Sequence, residues 1–101
     1  MITVETRKKI KENLLERFSL EKIILFGSQA RGTADSKSDV DLLVIKSNIS
    51  DRYKLMREIR RSLLHFEYAF DIIAITAKEY ERDKKIPGTI ARYASMEGIV
   101  L

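Results

Sequence analysis

The stretch "DVDLLVIK", residues 39–46, is the sequence feature that most constrains the fold. After its two aspartates it is apolar at every position up to Lys46, so a strand here is apolar on both faces. Such a strand is typical of the centre of a sheet that is covered on both sides. The polar stretch "GSQARGTADSKS" comes directly before it. A fold for this chain must therefore place carboxylates at the beginning of a buried central strand.

The patterns along the chain predict helices and strands in the order α-β-β-α-β-α, in which the last α stands for two consecutive helices. Apolar residues at helical spacing predict a first helix over residues 3–18 and a second from a cap at Ser50 or Asp51 to residue 66. β-rich runs predict strands over 22–27, 39–46 and 70–76. A short helix capped by Thr76 and a last helix ending at Gly98 follow, with a short apolar tail. The expected helical stripes comprise Val4, Ile10, Leu14, Leu15 and Phe18 in the first helix and Leu55, Met56, Ile59, Leu63 and Phe66 in the second.

The order of these elements predicts a small mixed sheet flanked by helices, an α/β (α+β) fold. The strand 70–76 follows the strand 39–46 after a helix-length crossover, so the two are expected to be parallel and joined right-handedly. The strand 22–27 can pair with 39–46 in the antiparallel direction. At 101 residues, the chain is expected to form one domain over 1–101.

Aspartates stand at the beginning of both parallel strands. Asp39 and Asp41 open one strand and Asp71 opens the other. Parallel neighbours bring their amino ends to the same edge, and residues i and i+2 of a strand share a face, so the three carboxylates are expected to gather. Mg²⁺ prefers oxygen ligands, and two such ions can straddle a phosphoryl centre. With no His or Cys nearby, this set favours magnesium and phosphate chemistry over zinc.

The motif "GSQARG" supplies groups that suit a phosphate. Gly27 lets the backbone turn tightly, and Ser28 can open a helical turn whose N–H groups hold phosphate oxygens. Arg31 can reach a phosphate with a planar fork of donors. Each piece alone is weak, because a Gly-Ser turn is usually only a turn and a D-x-D pair is usually a strand start or a helix cap. Together they support a phosphate site, because their spacing is expected to place the Gly-Ser turn and the aspartates at the same edge of the sheet.

Charge and composition exclude some functions. The net charge of +4 fits a solvated surface, with a polyanionic partner such as a nucleotide or nucleic acid as the alternative. The sequence has no dense basic stripe or aromatic stacking platform, so stable nucleic-acid binding is not expected. It also lacks cysteine, an apolar run of membrane-spanning length and a signal-peptide centre. A cytoplasmic protein without a membrane partner is expected.

These residues resemble a known family. Gly27-Ser28, Arg31-Gly32, Ser38-Asp39-x-Asp41-Leu42 and the later Asp71 are similar to the motif of the nucleotidyltransferase superfamily of DNA polymerase β. The likeness is closest to its minimal nucleotidyltransferase (MNT) domains and covers almost the whole chain, including the final "EGIVL". The resemblance implies a polymerase β-like nucleotidyltransferase fold.

The resemblance also implies a role for each residue of the motif. Asp39, Asp41 and Asp71 would hold metal, with two Mg²⁺ ions, and Asp71 would help to deprotonate the acceptor hydroxyl. The nucleotide site would comprise Gly27, Ser28, Arg31 and Ser38, with ATP as the substrate. Ser38 would fix the turn before the strand. Arg31 is either a phosphate ligand or a brace of the loop.

The family further implies a partner. Minimal members are commonly encoded beside a HEPN-domain toxin, and the MNT protein acts as antitoxin by transferring AMP from ATP to a tyrosine of that partner. Two alternatives stay open: a non-catalytic antitoxin that neutralises its partner by binding, and a nucleotidyltransferase subunit acting on a small molecule. The oligomeric state is also open, including a homo-oligomer. A chain this short is expected to offer an open half-cleft that another molecule completes.

Overall fold

The computed structural model describes residues 2–35 and 37–101, which form a four-stranded sheet with helices on both faces. The strands are β1 Lys22–Phe26, β2 Val40–Lys46, β3 Phe70–Thr76 and β4 Ile99–Val100, and the helices are α1 Val4–Arg17, α2 Ser28–Arg31, α3 Arg52–Ser62, α4 Ala77–Asp83 and α5 Ile90–Glu97. The strand order across the sheet is β3-β2-β1-β4. The predicted mixed sheet flanked by helices is confirmed.

β2 lies inside the sheet, as its two-sided apolarity predicts. It pairs in parallel with β3 and antiparallel with β1, while β1 pairs antiparallel with β4 on its other side. β4 was not predicted, because two residues of an apolar tail carry no periodicity. It forms because the chain after α5 runs back along β1, where Leu25 faces Ile99 and the N–H of Leu101 donates to the carbonyl of Ile23 at 2.9 Å.

Alternate residues of the strands build two apolar cores, one on each face of the sheet. On the face covered by α1 and α3, buried residues include Ile10, Leu14, Leu42, Val44 and Ile59. On the face covered by α4 and α5 they include Ile24, Leu43, Ile45, Tyr80 and Ala94. The period of two along each strand produces this division, because successive side chains point to opposite faces.

The helices begin at the residues whose side chains can cap them. Thr3, Asp51, Thr76 and Thr89 each accept a hydrogen bond from the N–H group three residues later. Such side-chain acceptors satisfy N–H groups that have no partner within the helix. Of the two predicted caps for the second long helix, Asp51 is the one used. α3 ends at Ser62, four residues before its predicted end.

Two residues assigned to the stripe of the first helix lie in solvent. Val4 is 71% exposed and Leu15 is 45% exposed, whereas Ile10 and Leu14 are fully buried. Leu15 follows Leu14 directly and so points about 100° away around the helix, off the contact with the sheet. Of the stripe predicted for α3, Ile59 and Leu63 are buried, and Leu55, Met56 and Phe66 pack partly buried against the same core.

Within residues 2–35 and 37–101, no helix combines the length and the apolarity that crossing a bilayer requires.

Candidate active site

Asp41 and Asp71 lie side by side at the amino ends of two parallel strands. The register pairs Asp41 of β2 directly with Asp71 of β3, and neighbouring strands in a sheet are about 4.8 Å apart. Leu43 belongs to the core under α4 and α5, and Asp41 lies two residues before it on the same strand. Because Asp71 pairs with Asp41, both side chains point to that face of the sheet. Asp39 stands two residues before Asp41, just ahead of β2. The sheet thus brings together the strand ends that carry the three predicted carboxylates.

The pKa of Asp41 reflects the closeness of these carboxylates. Burial raises the pKa of Asp41 above its ordinary value, and the carboxylates of Asp71 and then Asp39 raise it further. Arg31 acts in the opposite direction and lowers it. Each neighbouring negative charge disfavours ionisation of Asp41, and a nearby cation favours it. The site therefore holds an excess of negative charge that a cation would relieve.

Gly27 packs against the carboxylate of Asp41. Its φ is +73°, and a Cβ atom at this position would lie 2.2 Å from Asp41 Oδ2. Gly27 caps α2, where its carbonyl accepts from the N–H groups of Ala30 and Arg31, each at 3.1 Å. Only glycine combines this backbone conformation with such a close approach. The turn predicted at Gly27-Ser28 therefore lies against the edge that carries the aspartates.

Arg31 joins α2 to α5. Its guanidinium donates to the hydroxyl of Tyr93, lies 5.9 Å from the centre of the Tyr93 ring, and is 3.7 Å from Glu97 Oε2. These contacts hold the motif turn against α5, and 40% of the Arg31 side chain stays exposed. The sequence alone gave no means of choosing Tyr93 from among the four tyrosines, because the partner of Arg31 is 62 residues away.

Ser38 closes the turn that leads into β2. Its hydroxyl accepts from the N–H of Asp35 at 3.0 Å, and its own N–H donates to the carbonyl of Asp35 at 3.2 Å. The carboxylate of Asp35 also accepts from the N–H of Lys37 at 2.8 Å. The Ser38 side chain is thus engaged in the turn and sets where the chain enters β2.

Gln29 is a residue that the sequence reasoning missed, since it stands at a variable position of the motif. Only 4% of its surface is exposed. Its Oε1 accepts from the N–H of Ile2 at 2.8 Å, and its Nε2 donates to the carbonyl of Ser38 at 3.3 Å. A four-residue helix offers no periodicity from which this burial could be predicted.

An apolar cleft lies beside Phe26, the residue of β1 that pairs with Asp41. Its volume is about 360 Å³, and it lies between Phe26 and one side of α5, where Ile90, Tyr93 and Met96 contribute to its wall. Phe26 pairs in register with Asp41 and immediately precedes Gly27, so the cleft opens beside both. Its volume is within the range of small-molecule sites, about 300–1,000 Å³.

The donor chemistry of the site suits a hard divalent cation. Three carboxylates supply the oxygen atoms that Mg²⁺ prefers, and the raised pKa of Asp41 reflects repulsion that a cation would remove. As the side chains stand, however, residues 2–35 and 37–101 contain no group of three or more His, Cys, Asp or Glu residues placed to hold an ion. One ion held by all three carboxylates would therefore require these side chains to move closer together.

The fold and the motif at its sheet edge define a class of protein. The chain belongs to the nucleotidyltransferase domain family, whose pattern matches residues 7–96. The predicted family is confirmed by this match, which covers the motif turn, both aspartate strands and α5.

Relatives from Methanocaldococcus jannaschii are similar to this chain. "Putative protein adenylyltransferase MJ1305" is 43% identical over 79 residues, which cover 64% of this chain and 52% of that protein. "Putative protein adenylyltransferase MJ0604" is 37% identical over 85 residues, which cover 84% of this chain and 81% of that protein. The chain thus spans about half the length of the first of these relatives.

Solved structures share the fold at lower identity. A nucleotidyltransferase-like protein from Sulfolobus solfataricus has a TM-score of 0.61 at 24% identity, over 93% of this chain and 74% of its own. A toxin–antitoxin complex with AMP-PNP has 0.62 at 22% identity, and a mutant of the toxin–antitoxin complex MntA-HpeT has 0.63 at 20%. Each of the two covers 92% of this chain and 69% of its own. At these identities the likeness shows the fold alone.

Proposed function

We propose that this chain transfers AMP from ATP to a hydroxyl group of a partner protein, a tyrosine of a HEPN-domain toxin, and so acts as an antitoxin. The observation that carries the proposal is the pairing of Asp41 with Asp71, with Gly27 packed against the Asp41 carboxylate. Membership of the nucleotidyltransferase family supports the reaction class. The names of the relatives support protein adenylylation, and the toxin–antitoxin complexes support the kind of partner.

Each residue of the motif has a proposed role that follows from its position. Gly27 lets a phosphate approach the backbone beside Asp41, and Ser28, the first residue of α2, offers its hydroxyl to a phosphate oxygen. Arg31 braces α2 through Tyr93 and Glu97, while its exposed part is available to a phosphate. Ser38 sets the course of the chain into β2.

The aspartates would hold Mg²⁺ and act on the acceptor. Bound magnesium, as two ions held by Asp39, Asp41 and Asp71, would neutralise phosphate charge and position the triphosphate. Asp71 accepts the proton of the acceptor hydroxyl. The hydroxyl oxygen then bonds to the α-phosphorus, the bond from the α-phosphorus to the β-phosphate bridging oxygen breaks, and pyrophosphate leaves with that oxygen. AMP is thereby esterified to the acceptor.

The open surroundings of the aspartates favour a macromolecular acceptor. Asp71 is exposed on β3, which lies at the edge of the sheet. A docked partner would cover the exposed side of Asp71 and exclude water from the reacting groups.

A labelling experiment tests the proposal. The chain is incubated with the product of the neighbouring gene, magnesium and ATP labelled at the α-phosphate, and the label is expected on a tyrosine of that protein. The matched variants are Asp39→Asn with Asp41→Asn, expected to lose transfer, and Asp83→Asn, expected to keep it because Asp83 pairs with Arg82 on the surface.

The same variants separate catalysis from neutralisation by binding. If the Asp39→Asn, Asp41→Asn double variant binds the partner but no longer neutralises it, the antitoxin acts through its chemistry. If that variant still neutralises the partner fully, the chain acts by binding and the catalytic proposal for the antitoxin is wrong. Absence of label on the partner with the wild-type chain would refute AMP transfer.

A further inference from the structure

Gln29 connects three parts of the chain that meet at the candidate site. Its backbone belongs to α2, the turn that carries Gly27 and Ser28. Its side chain reaches the segment before α1 through Ile2 and the segment before β2 through Ser38. Ser38 directly precedes Asp39, so a single side chain links the turn proposed for phosphate with the strand start that carries the carboxylates.

Because Gln29 is buried, losing either of its two hydrogen bonds would leave a polar group without a partner. Among the buried residues of the described chain, Gln29 is the polar one, with 4% of its surface exposed. A buried amide that loses its partners has no water to replace them, so each group left unpaired destabilises the fold. Oε1 accepts one hydrogen bond and Nε2 donates the other, so this position requires a side chain whose terminal group carries both an acceptor and a donor.

We propose that Gln29 is a positioning residue for the transfer reaction: its amide holds the motif turn at a set distance from the aspartates. The inference rests on the proposed function, because the distance matters only if one ligand contacts both the turn and the carboxylates. An amide at this position acts through the Ser38 carbonyl and touches no substrate atom. A misplacement of about 1 Å between such groups can lower a rate by about a hundredfold.

The test compares Gln29→Met with Asn13→Leu. Gln29→Met keeps the length of the side chain and removes both hydrogen bonds, whereas Asn13→Leu removes a bridge of similar kind between α1 and α3, where Asn13 Nδ2 donates to the carbonyl of Ser62 at 2.9 Å. Both variants are expected to unfold at lower temperature. Well below those temperatures, Gln29→Met is expected to lower kcat by about ten- to a hundredfold with little change in the KM for ATP, and Asn13→Leu to leave kcat unchanged.

The variant Gln29→Glu provides a readout that a structural role would not move. An ionised carboxylate faces the Ser38 carbonyl without a hydrogen to donate, whereas a protonated one restores the donor. The ratio of its kcat to that of the wild type is therefore expected to rise as the pH falls. Arg31, Asp35, Lys37, Asp39 and Asp41, the charged groups on the elements around Gln29, are present in both proteins, and they set the pH at which the introduced carboxyl ionises. The ratio therefore tests the direction of the change with pH and not its midpoint.

The outcomes separate this inference from the proposed function. A wild-type chain that transfers AMP, with Gln29→Met as active as Asn13→Leu, would overturn the positioning role and leave the function intact. A ratio for Gln29→Glu that does not change with pH would overturn it as well. A wild-type chain that transfers nothing to its partner would overturn both.

Discussion

Asp41 illustrates how one residue of the site affects both folding and the proposed reaction. Its carboxyl is partly buried beside Asp71 and Asp39, and its pKa is raised from the ordinary 3.8. The folded chain thus binds this proton more tightly than the unfolded chain does, so stability rises as the pH falls through the folded-state pKa, and the gain is complete below the ordinary 3.8. Above that pKa, the ionised carboxylate destabilises the fold.

We therefore expect Asp41→Asn to raise the unfolding temperature of the metal-free chain at pH 7 while abolishing transfer. The gain should shrink as the pH is lowered through the folded-state pKa of Asp41, because the wild-type carboxyl is then neutral too. Thermal unfolding of the wild type and the variant in the presence of a chelator, between pH 3 and pH 8, measures this difference in unfolding temperature. Asp83→Asn is the control: the hydrogen bond from Arg82 lowers the pKa of Asp83, so this change should not stabilise. A lower unfolding temperature for Asp41→Asn at pH 7 would contradict the assignment.

Gly27 allows a second test at a single residue, because Gly88 provides a matched control. Both have a positive φ, +73° and +88°, but a Cβ at Gly27 would collide with Asp41 Oδ2, whereas one at Gly88 would meet nothing within 4 Å. A non-glycine residue held in such a conformation costs about 1–3 kcal/mol. Both alanine variants should therefore lose stability in urea unfolding, and Gly27→Ala should lose more. Equal losses would show that the contact with Asp41 is not maintained.

At the scale of elements, contacts at the beginning of α4 connect α3 and α4 to the end of β3. Thr76 and Glu79 form a reciprocal capping box, and Arg52 of α3 donates to both carboxylate oxygens of Glu79, at 2.8 and 3.2 Å. These contacts fasten α3, which crosses from β2 to β3, to the helix that follows β3. They connect α3 and α4 at the carboxyl end of β3, where Thr76 pairs with Lys46 of β2.

We expect Glu79→Gln to destabilise the fold in a pH-dependent way. Hydrogen bonds from Arg52 and then from the N–H of Thr76 lower the pKa of Glu79 below its ordinary 4.5. The stabilisation is therefore present above 4.5 and lost as the pH falls through the lower, folded-state pKa. Unfolding temperatures of wild type and variant should differ at pH 7 and converge in acid. Glu81→Gln, which removes only an exposed pair with Lys84, should have a smaller effect.

At the scale of the whole molecule, ligand binding should stabilise the fold. A ligand that binds only the folded state adds about 2.7 kcal/mol when its concentration is a hundred times its Kd. Mg²⁺ with ATP should therefore raise the unfolding temperature of the wild-type chain, because the cation also relieves the repulsion at Asp41. The Asp39→Asn, Asp41→Asn double variant should respond less. An unchanged wild-type unfolding temperature at saturating Mg²⁺ and ATP would weaken the proposed site.

Much of the fold could be predicted because its signals are local. β2 is apolar on both faces, Thr76 and Asp51 stand where caps belong, and Gly98 ends α5, so these elements follow from neighbouring residues. The parallel pairing of β2 with β3 followed from the length of the crossover. β4 lacked such a signal, since its two residues form a strand only because β1 offers a free edge to the returning chain.

By itself, the sequence determined the order of the long helices and of β1 to β3, and the three aspartates at the beginning of two strands, since hydrophobic period and short motifs depend on adjacent residues. Tertiary structure alone decided the contacts between distant segments: Asp41 opposite Asp71, Arg31 on Tyr93, and Gln29 between Ile2 and Ser38. Such pairs form when packing of the two cores sets the register of the strands and the position of α5. No local pattern encodes that register, because it depends on how all the buried side chains fit together.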